Sequence, residues 1–203
     1  MREDITSLFF CVSLDLSSNL GNNIVRSFFN SDSKIIPGSG YTLSISPVAK
    51  NGDTLIFATP ANTVSLTDGS ATLINTFTCK IPGDSAKFLI YKITADNPTL
   101  TFSIKSGYYT CYQYIVLAKS FAQAETTTAC VKNNYYLLLF SQQNNACHIS
   151  SLGNTDIYKQ ITVCGYRENY GTSIVVLNAL EDFTPVIGST ITTGVATQII
   201  RLS

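Results

Sequence analysis

The sequence of 203 residues has no tryptophan, a single histidine and few charged side chains, which make up 13% of the chain. That share is about half of what globular proteins usually carry. Thirteen basic side chains balance thirteen acidic ones, and lysine and arginine are scattered rather than clustered. Because non-specific nucleic-acid binding depends on neutralising phosphates, this composition argues against a nucleic acid or an anionic membrane surface as the partner.

Motifs for catalysis and metal binding are missing as well. The sequence has no C-x-x-C pair, P-loop, dinucleotide-binding glycine pattern or nucleophile elbow, and His148 is its only histidine. His148 directly follows Cys147. Adjacent side chains of a strand point to opposite faces, so these two cannot form a thiolate–imidazole pair. We therefore predict that the protein is not an enzyme and has no cofactor and no metal site.

Long apolar runs are absent, and none reaches the roughly 18 residues of a membrane-spanning helix. The amino terminus begins with Arg2, Glu3 and Asp4, and the apolar run behind them ends at Asp15. A secretion signal needs a positive start and a longer apolar stretch. We interpret this segment as a strand of the mature domain.

The sequence does contain six cysteines, an even number that is typical of a disulfide framework. They are Cys11, Cys79, Cys111, Cys130, Cys147 and Cys164. Our interpretation is that they form three disulfides in an oxidising compartment. The alternative is a cytosolic protein with buried free thiols, because cysteine packs well as a small apolar side chain.

Most of the chain consists of short runs of β-branched, aromatic and aliphatic residues. Glycine turns separate them about every 8–12 residues, for example Asn51-Gly52 and Asp68-Gly69. Apolar residues make up 45% of the sequence, which is enough for a buried core. This pattern predicts an all-β fold of antiparallel sandwich type.

Two parts of the chain share an order of strands and turns. An alignment that places Cys79 opposite Cys164 also places residues 88–99 opposite 173–184, and a one-residue adjustment brings Gly69 opposite Gly153. We predict two tandem antiparallel β-sandwich domains, at residues 1–107 and 108–203.

Three segments resemble consecutive elements of CUB modules. They are "NTVSLTDG" at 62–69, "TFTCKIPG" at 76–83 and "ITAD" at 93–96, and Cys164-Gly165 matches a further "CG" of that family. The sequence departs from the family in having no tryptophan and no early C-x-W strand. The resemblance implies a divergent pair of jelly-roll, CUB-like sandwiches that are secreted and bind an extracellular protein or a glycan.

The resemblance also implies disulfides, because the spacing of Cys147 and Cys164 is similar to that of the second CUB disulfide. We assign the pairs Cys147–Cys164, Cys111–Cys130 and Cys11–Cys79. Other pairings of these cysteines stay open.

Calcium-binding CUB modules hold the ion with a glutamate and two aspartates. Asp96 matches one aspartate, but Asn62 stands at the other position and no glutamate stands at the third. Calcium needs several oxygen ligands with enough negative charge. We therefore expect no metal here and interpret Asp68 and Asp96 as residues that shape turns.

Tyrosines are concentrated around the predicted domain boundary. Tyr108, Tyr112 and Tyr114 would share one face of a strand, and with Asp68 and Asp96 they are our candidate contact residues. Tyrosine suits a contact surface because it offers rigid apolar area and a hydroxyl at small entropic cost. The alternative is that these rings pack in the core or at the domain junction.

These features predict a secreted, disulfide-stabilised binding or adhesion module for a protein or glycan partner. The alternative is a structural subunit of a surface assembly, spike, capsid or fibril that associates with its own copies. Near-zero net charge, and a strand such as "LLLF" (137–140) with few lysines, would suit such an assembly.

Overall fold

A computed structural model describes residues 24–29, 40–61, 63–81, 84–105, 112–118, 125–143, 147–151, 153–164, 170–189 and 197–202. All regular secondary structure in these ranges is β-strand, so the predicted all-β class is confirmed. Every strand pair is antiparallel. Among the described residues, no helix is long and apolar enough to cross a membrane.

The strands fall into two consecutive sets. The first set is β1 (Val25–Phe29), β2 (Tyr41–Ile45), β3 (Thr54–Thr59), β4 (Thr63–Asp68), β5 (Ala71–Ile81), β6 (Asp84–Ile93), β7 (Leu100–Lys105) and β8 (Gln113–Leu117). The second set is β9 (Glu125–Thr127), β10 (Tyr135–Gln143), β11 (Cys147–Ser151), β12 (Thr155–Cys164), β13 (Tyr170–Ala179), β14 (Val186–Ser189) and β15 (Thr197–Leu202).

Each set of strands forms one large and one small sheet. The first large sheet has the order β1-β8-β3-β6-β5, and the first small sheet has the order β2-β7-β4. The second large sheet has the order β12-β13-β10-β15-β9, and the second small sheet pairs β11 with β14. Strand β8 follows the boundary predicted at residue 107, yet it pairs with β1 and β3 of the first large sheet.

The strand pairs of the first set are nested, since β1 pairs with β8, β2 with β7 and β3 with β6. The second large sheet, followed from its other edge, has the order β9-β15-β10-β13-β12. This order matches β1-β8-β3-β6-β5 strand for strand in chain sequence. The pair β11-β14 likewise corresponds to β4-β7.

The apolar side chains form three buried clusters. The central core lies between the two large sheets and includes Ile56 and Phe88 from the first and Leu139 and Ile174 from the second. A second cluster lies between the first large and first small sheets, and a third covers the other face of the second large sheet. Both faces of each large sheet are therefore apolar, which explains continuous apolar runs in place of strict alternation.

Gly69 and Gly153 occupy turns in which a side chain has no room. Both have positive φ, 115° and 58°. Each lies two residues before a long strand, Gly69 before β5 and Gly153 before β12. A Cβ atom on Gly69 would overlap the carbonyl oxygen of Thr99 and lie 3.0 Å from Leu100 Cα. A Cβ on Gly153 would lie 2.7 Å from the ring of Phe183. These glycines allow the turn to approach the neighbouring chain closely.

We predict that Gly69→Ala lowers the free energy of unfolding by about 3 kcal/mol, because the new methyl group meets backbone atoms that cannot move aside. Gly52→Ala is the matched control, since Gly52 also has positive φ, 92°, but a methyl group there would meet nothing within 4 Å. It should lose only about 1 kcal/mol from backbone strain. Urea denaturation of both variants measures the difference, and equal losses would contradict the steric explanation.

Candidate binding surface

The tyrosines proposed as contact residues lie in the interior where the structure describes them. Tyr112 and Tyr114 are 5% and 8% exposed and face the first small sheet. Phe29 stacks on both rings, with ring centroids 5.2 and 5.3 Å away. Burial raises the pKa of both phenols. Tyr112 and Tyr114 therefore pack in the core, as the alternative interpretation has it, and do not form an exposed contact surface. Tyr108 lies outside the described residues.

Asp68 and Asp96 are exposed and bind backbone amides. Asp68 Oδ1 accepts a hydrogen bond from the amide of Gly69 at 2.9 Å, and Asp96 Oδ1 accepts one from the amide of Asn51 at 2.8 Å. Both carboxylates therefore shape turns at one end of the first large sheet. Within the described ranges, no group of three or more His, Cys, Asp or Glu side chains could hold a metal ion.

Cys130 carries a buried free thiol. Its backbone forms an isolated bridge with Phe183, with hydrogen bonds of 2.8 and 3.0 Å. Burial raises the pKa of the thiol to about 12. We predict a disulfide between Cys130 and Cys111, and Cys111 lies outside the described residues. Within the part of the chain that the structure describes, Cys130 has no disulfide partner.

The two other pairings stay predictions. Cys147 begins β11 of the second small sheet and Cys164 ends β12 of the second large sheet. Cys79 lies in β5, and Cys11 lies outside the described residues.

The outer face of the first small sheet consists of hydroxyl side chains. Alternate residues of its strands, such as Leu43, Phe102 and Ile104, turn inward and join the apolar cluster against the first large sheet. The residues between them turn outward. We call them the hydroxyl face: Thr42, Ser44 and Ser46, Thr63, Ser65 and Thr67, and Thr99, Thr101 and Ser103.

The hydroxyl groups are arranged in rows across the three strands. One row is Thr42, Ser103 and Ser65, which are register partners on β2, β7 and β4. In the next row Ser44 lies opposite Thr101. Neighbouring strands of a sheet are about 4.8 Å apart, and alternate residues along a strand are about 7 Å apart. The result is a two-dimensional array of hydroxyl groups, which a register shift between Leu66 and Asp68 interrupts on β4.

Side-chain hydrogen bonds orient part of this array. Ser44 Oγ and Thr101 Oγ1 are 3.2 Å apart, as are Ser46 Oγ and Thr99 Oγ1. Thr67 Oγ1 donates to the carbonyl oxygen of Thr101 at 3.0 Å. Each hydroxyl group has one donor and two acceptor sites, so groups that bond to one another still have acceptor capacity for a ligand.

Among the described residues of these three strands, charged groups stand only at the margins of the hydroxyl face. Lys105 lies beside Thr63 at one end, and Asp68 lies beside Thr101 at the other. An ionic ligand would therefore meet few opposite charges on this surface. A neutral ligand with many hydroxyl or amide groups could instead exchange hydrogen bonds with it.

No residue of the hydroxyl face is among the candidate contact residues predicted from the sequence, although the alternation that produces this face can be seen in the sequence. The segments "YTLSIS" (41–46), "TVSLT" (63–67) and "TLTFSIK" (99–105) alternate hydroxyl and apolar residues. Alternation alone could not show that these segments are neighbours in one sheet, because β2, β4 and β7 are far apart in the chain.

Comparisons with protein-family models, with curated proteins and with solved structures found no match to this chain.

We predict that iodoacetamide at pH 8, without reductant, leaves Cys130 unmodified in the folded protein and labels it in denaturant. The thiolate is the reactive species, and the folded protein both buries the thiol and raises its pKa to about 12. Peptide mass spectrometry measures labelling at this position. A peptide that stays unlabelled in denaturant until reductant is added would show that Cys130 is in a disulfide.

Proposed function

We propose that this protein is a secreted, non-enzymatic binding module that recognises a glycan through its hydroxyl face. The observation that carries the proposal is the uncharged array of serine and threonine side chains on the three strands of the first small sheet. The resemblance of segments 62–69, 76–83 and 93–96 to CUB modules supports a binding role outside the cell.

A neutral sugar suits this surface because its hydroxyl groups also donate and accept hydrogen bonds. Removing neutral hydroxyl groups from water costs far less than removing charges, so such a pair needs no ionic compensation. The array lies on a sheet whose inward side chains are packed, for example Phe102 against Phe57 with ring centroids 4.4 Å apart. A rigid support keeps the hydroxyl groups in place before binding and lowers the entropic cost of recognition.

We propose that each half of the chain is a jelly-roll, CUB-like unit. The nested pairing of β1 with β8, β2 with β7 and β3 with β6 is the arrangement expected when one long hairpin folds into two sheets. The equal strand order of the two large sheets supports a tandem pair. Because β8 pairs within the first large sheet, we place the junction between Ala118 and Glu125, later than the boundary predicted from the sequence.

We predict that the combined variant Ser44→Ala, Ser65→Ala and Thr101→Val weakens glycan binding at least tenfold, or by about 1.4 kcal/mol, because it removes hydrogen-bonding groups from all three strands of the array. The matched control is Thr72→Val, Thr76→Val and Thr78→Val, which changes threonines of β5 outside the hydroxyl face. A glycan array identifies the ligand, and calorimetry compares the affinities of both variants.

Urea denaturation verifies that both variants remain folded. Equal loss of affinity in the two variants would contradict a site on the hydroxyl face. If no neutral glycan binds the parent protein and a protein partner does, the proposed ligand class is wrong.

The alternative role as an assembling subunit is favoured by the edge strand β5. This strand has 11 residues and pairs only with β6 among the described strands. Leu73 and Ile74 are 49% and 41% exposed there, beside a register shift between Leu73 and Asn75. Edge strands with exposed apolar residues and few charges can pair with another chain.

If the protein assembles through β5, its mass measured by light scattering rises with concentration, and Ile74→Lys reduces that rise by placing a charge on the edge. Val131→Lys is the control, because Val131 is 52% exposed and lies outside β5. A constant monomeric mass at all concentrations would exclude this role.

A further inference from the structure

Hydrogen bonds at the end of the first large sheet define a local pattern. The amide of Gly52 donates to the carbonyl oxygen of Ile93 at 2.9 Å, which joins the turn before β3 to the end of β6. One residue earlier, the amide of Asn51 donates to Asp96 Oδ1 at 2.8 Å. A turn residue with positive φ, here Gly52 at 92°, therefore lies beside an aspartate that follows β6.

The same pattern occurs in the second large sheet. The amide of Asn133 donates to the carbonyl oxygen of Ala179 at 2.7 Å, and the amide of Lys132 donates to Asp182 Oδ1 at 2.7 Å. Asn133 also has positive φ, 63°, as Gly52 does. These bonds join the turn before β10 to the end of β13, so they identify equivalent residues independently of the strand order.

Equivalence of Ile93 with Ala179 sets the register of β6 against β13. Counting back along both strands places Phe88 opposite Ile174, whereas the sequence alignment of 88–99 with 173–184 places Phe88 opposite Ser173. The register set by these hydrogen bonds differs from that alignment by one residue, which matters because a shift of one residue moves a side chain to the other face of the sheet. In the corrected register Phe88 and Ile174 both point into the central core.

The corrected register shows that both large sheets use the same face for the central core. Equivalent pairs in this core are Ile56 with Leu137, Ala58 with Leu139, Phe88 with Ile174, Ile90 with Val176 and Ile115 with Ile200. Equivalent residues of the opposite faces lie in the two outer clusters, as Leu55 and Tyr136 or Leu89 and Val175 do. Contact of one patch with its own equivalent is the defining property of the interface in a symmetric dimer.

One polar contact in the central core distinguishes the two halves. Gln113 is fully buried, and its Nε2 donates to Oγ1 of Thr172 at 2.6 Å and to the carbonyl oxygen of Thr172 at 2.9 Å. The equivalents are Gln198, which pairs with Leu139 as Gln113 pairs with Ala58, and Ala86 in place of Thr172. Ala86 has no side-chain acceptor, so the two halves differ here. The contact joins β8 of the first large sheet to β13 of the second, and it forms only where Gln113 lies beside Thr172.

We infer that the core-facing side of each large sheet is a docking surface for a second unit of the same kind, so the chain contains, within one polypeptide, the interface of a symmetric dimer. The inference rests on the proposed two-unit architecture. The partner is an equivalent unit because the opposing surface is formed by equivalent residues. Each unit also has an apolar cluster of its own outside this interface.

The test uses the whole chain with a protease site in place of residues 119–124, cleaved after folding so that both pieces stay present. Isotopically heavy and light cleaved proteins are mixed, and native mass spectrometry follows the appearance of hybrids. We expect hybrids to form faster than either half unfolds, as measured by hydrogen exchange. If both halves unfold whenever they separate, the two-unit architecture is wrong.

Two neighbouring leucines of β10 test the interface itself. Leu139 points into the central core and Leu138 into the outer cluster, and both have no exposed surface. Leu139→Ala should speed the exchange of halves between proteins by at least about tenfold, because Leu139 becomes exposed when the halves separate. It should have little effect on amide hydrogen exchange within the separated half. Leu138→Ala should instead weaken hydrogen-exchange protection of β10 and β13 and leave the exchange of halves near the parent rate.

Val176→Ala and Val175→Ala repeat the comparison with smaller changes, in case a leucine variant does not fold. If the halves exchange while folded but the central-core variants do not accelerate exchange, the docking surface is wrong and the two-unit architecture stands. If Leu138→Ala accelerates the exchange of halves more than Leu139→Ala does, the docking surface is likewise wrong and the two-unit architecture stands. Neither result depends on glycan binding, so the proposed ligand is judged separately.

Discussion

The strands of both large sheets carry apolar side chains on both faces, and the rest of the structure depends on covering those faces. Leu138 and Leu139 are adjacent, both fully buried, and belong to different clusters. At about 25 cal/mol for each Å² of apolar surface removed from water, an uncovered face of a five-stranded sheet would be strongly destabilising. In the intact chain this cost favours covering each large sheet on both sides. The two large sheets cover one another, and the first small sheet covers the remaining face of the first.

Polar side chains at the ends of the two large sheets hold the turns that precede β3 and β10 in place. Asp53 is 3% exposed, and its Oδ2 accepts the amide of Lys50 at 2.8 Å and pairs with Nε of Arg26 at 2.5 Å. In the second large sheet, Arg201 Nη2 donates to Asn134 Oδ1 at 2.6 Å. In each large sheet an arginine thus contacts the residue just before a strand, Asp53 before β3 and Asn134 before β10. The two arginines come from strands that do not correspond, β1 and β15. Asp53 is the buried member of these contacts, and leaving its carboxylate unpaired would cost more free energy than the contact itself contributes.

The hydroxyl face follows from the layer order. A three-stranded sheet that buries Leu43, Phe102 and Ile104 must present its alternate residues to solvent. Serine and threonine at those positions keep the face soluble without charge. The face is therefore the outer boundary of the first half, and the glycan site that we propose lies on it. The central core contributes indirectly, since it covers the opposite face of the first large sheet, on which the first small sheet packs.

Local patterns in the sequence were enough to determine the all-β class, the turns at Gly52, Gly69 and Gly153, and the turn-shaping role of Asp68, because each depends on neighbouring residues. The hydrogen bond from the amide of Asn51 to Asp96 joins segments that are far apart in the chain. Alternation could not show that Tyr112 and Tyr114 stack on Phe29 in the interior, since that requires β1 to lie beside β8. Nor could it place Phe88 opposite Ile174. Strand neighbours and the face each strand buries are set by contacts between distant segments, and only the tertiary structure decided them.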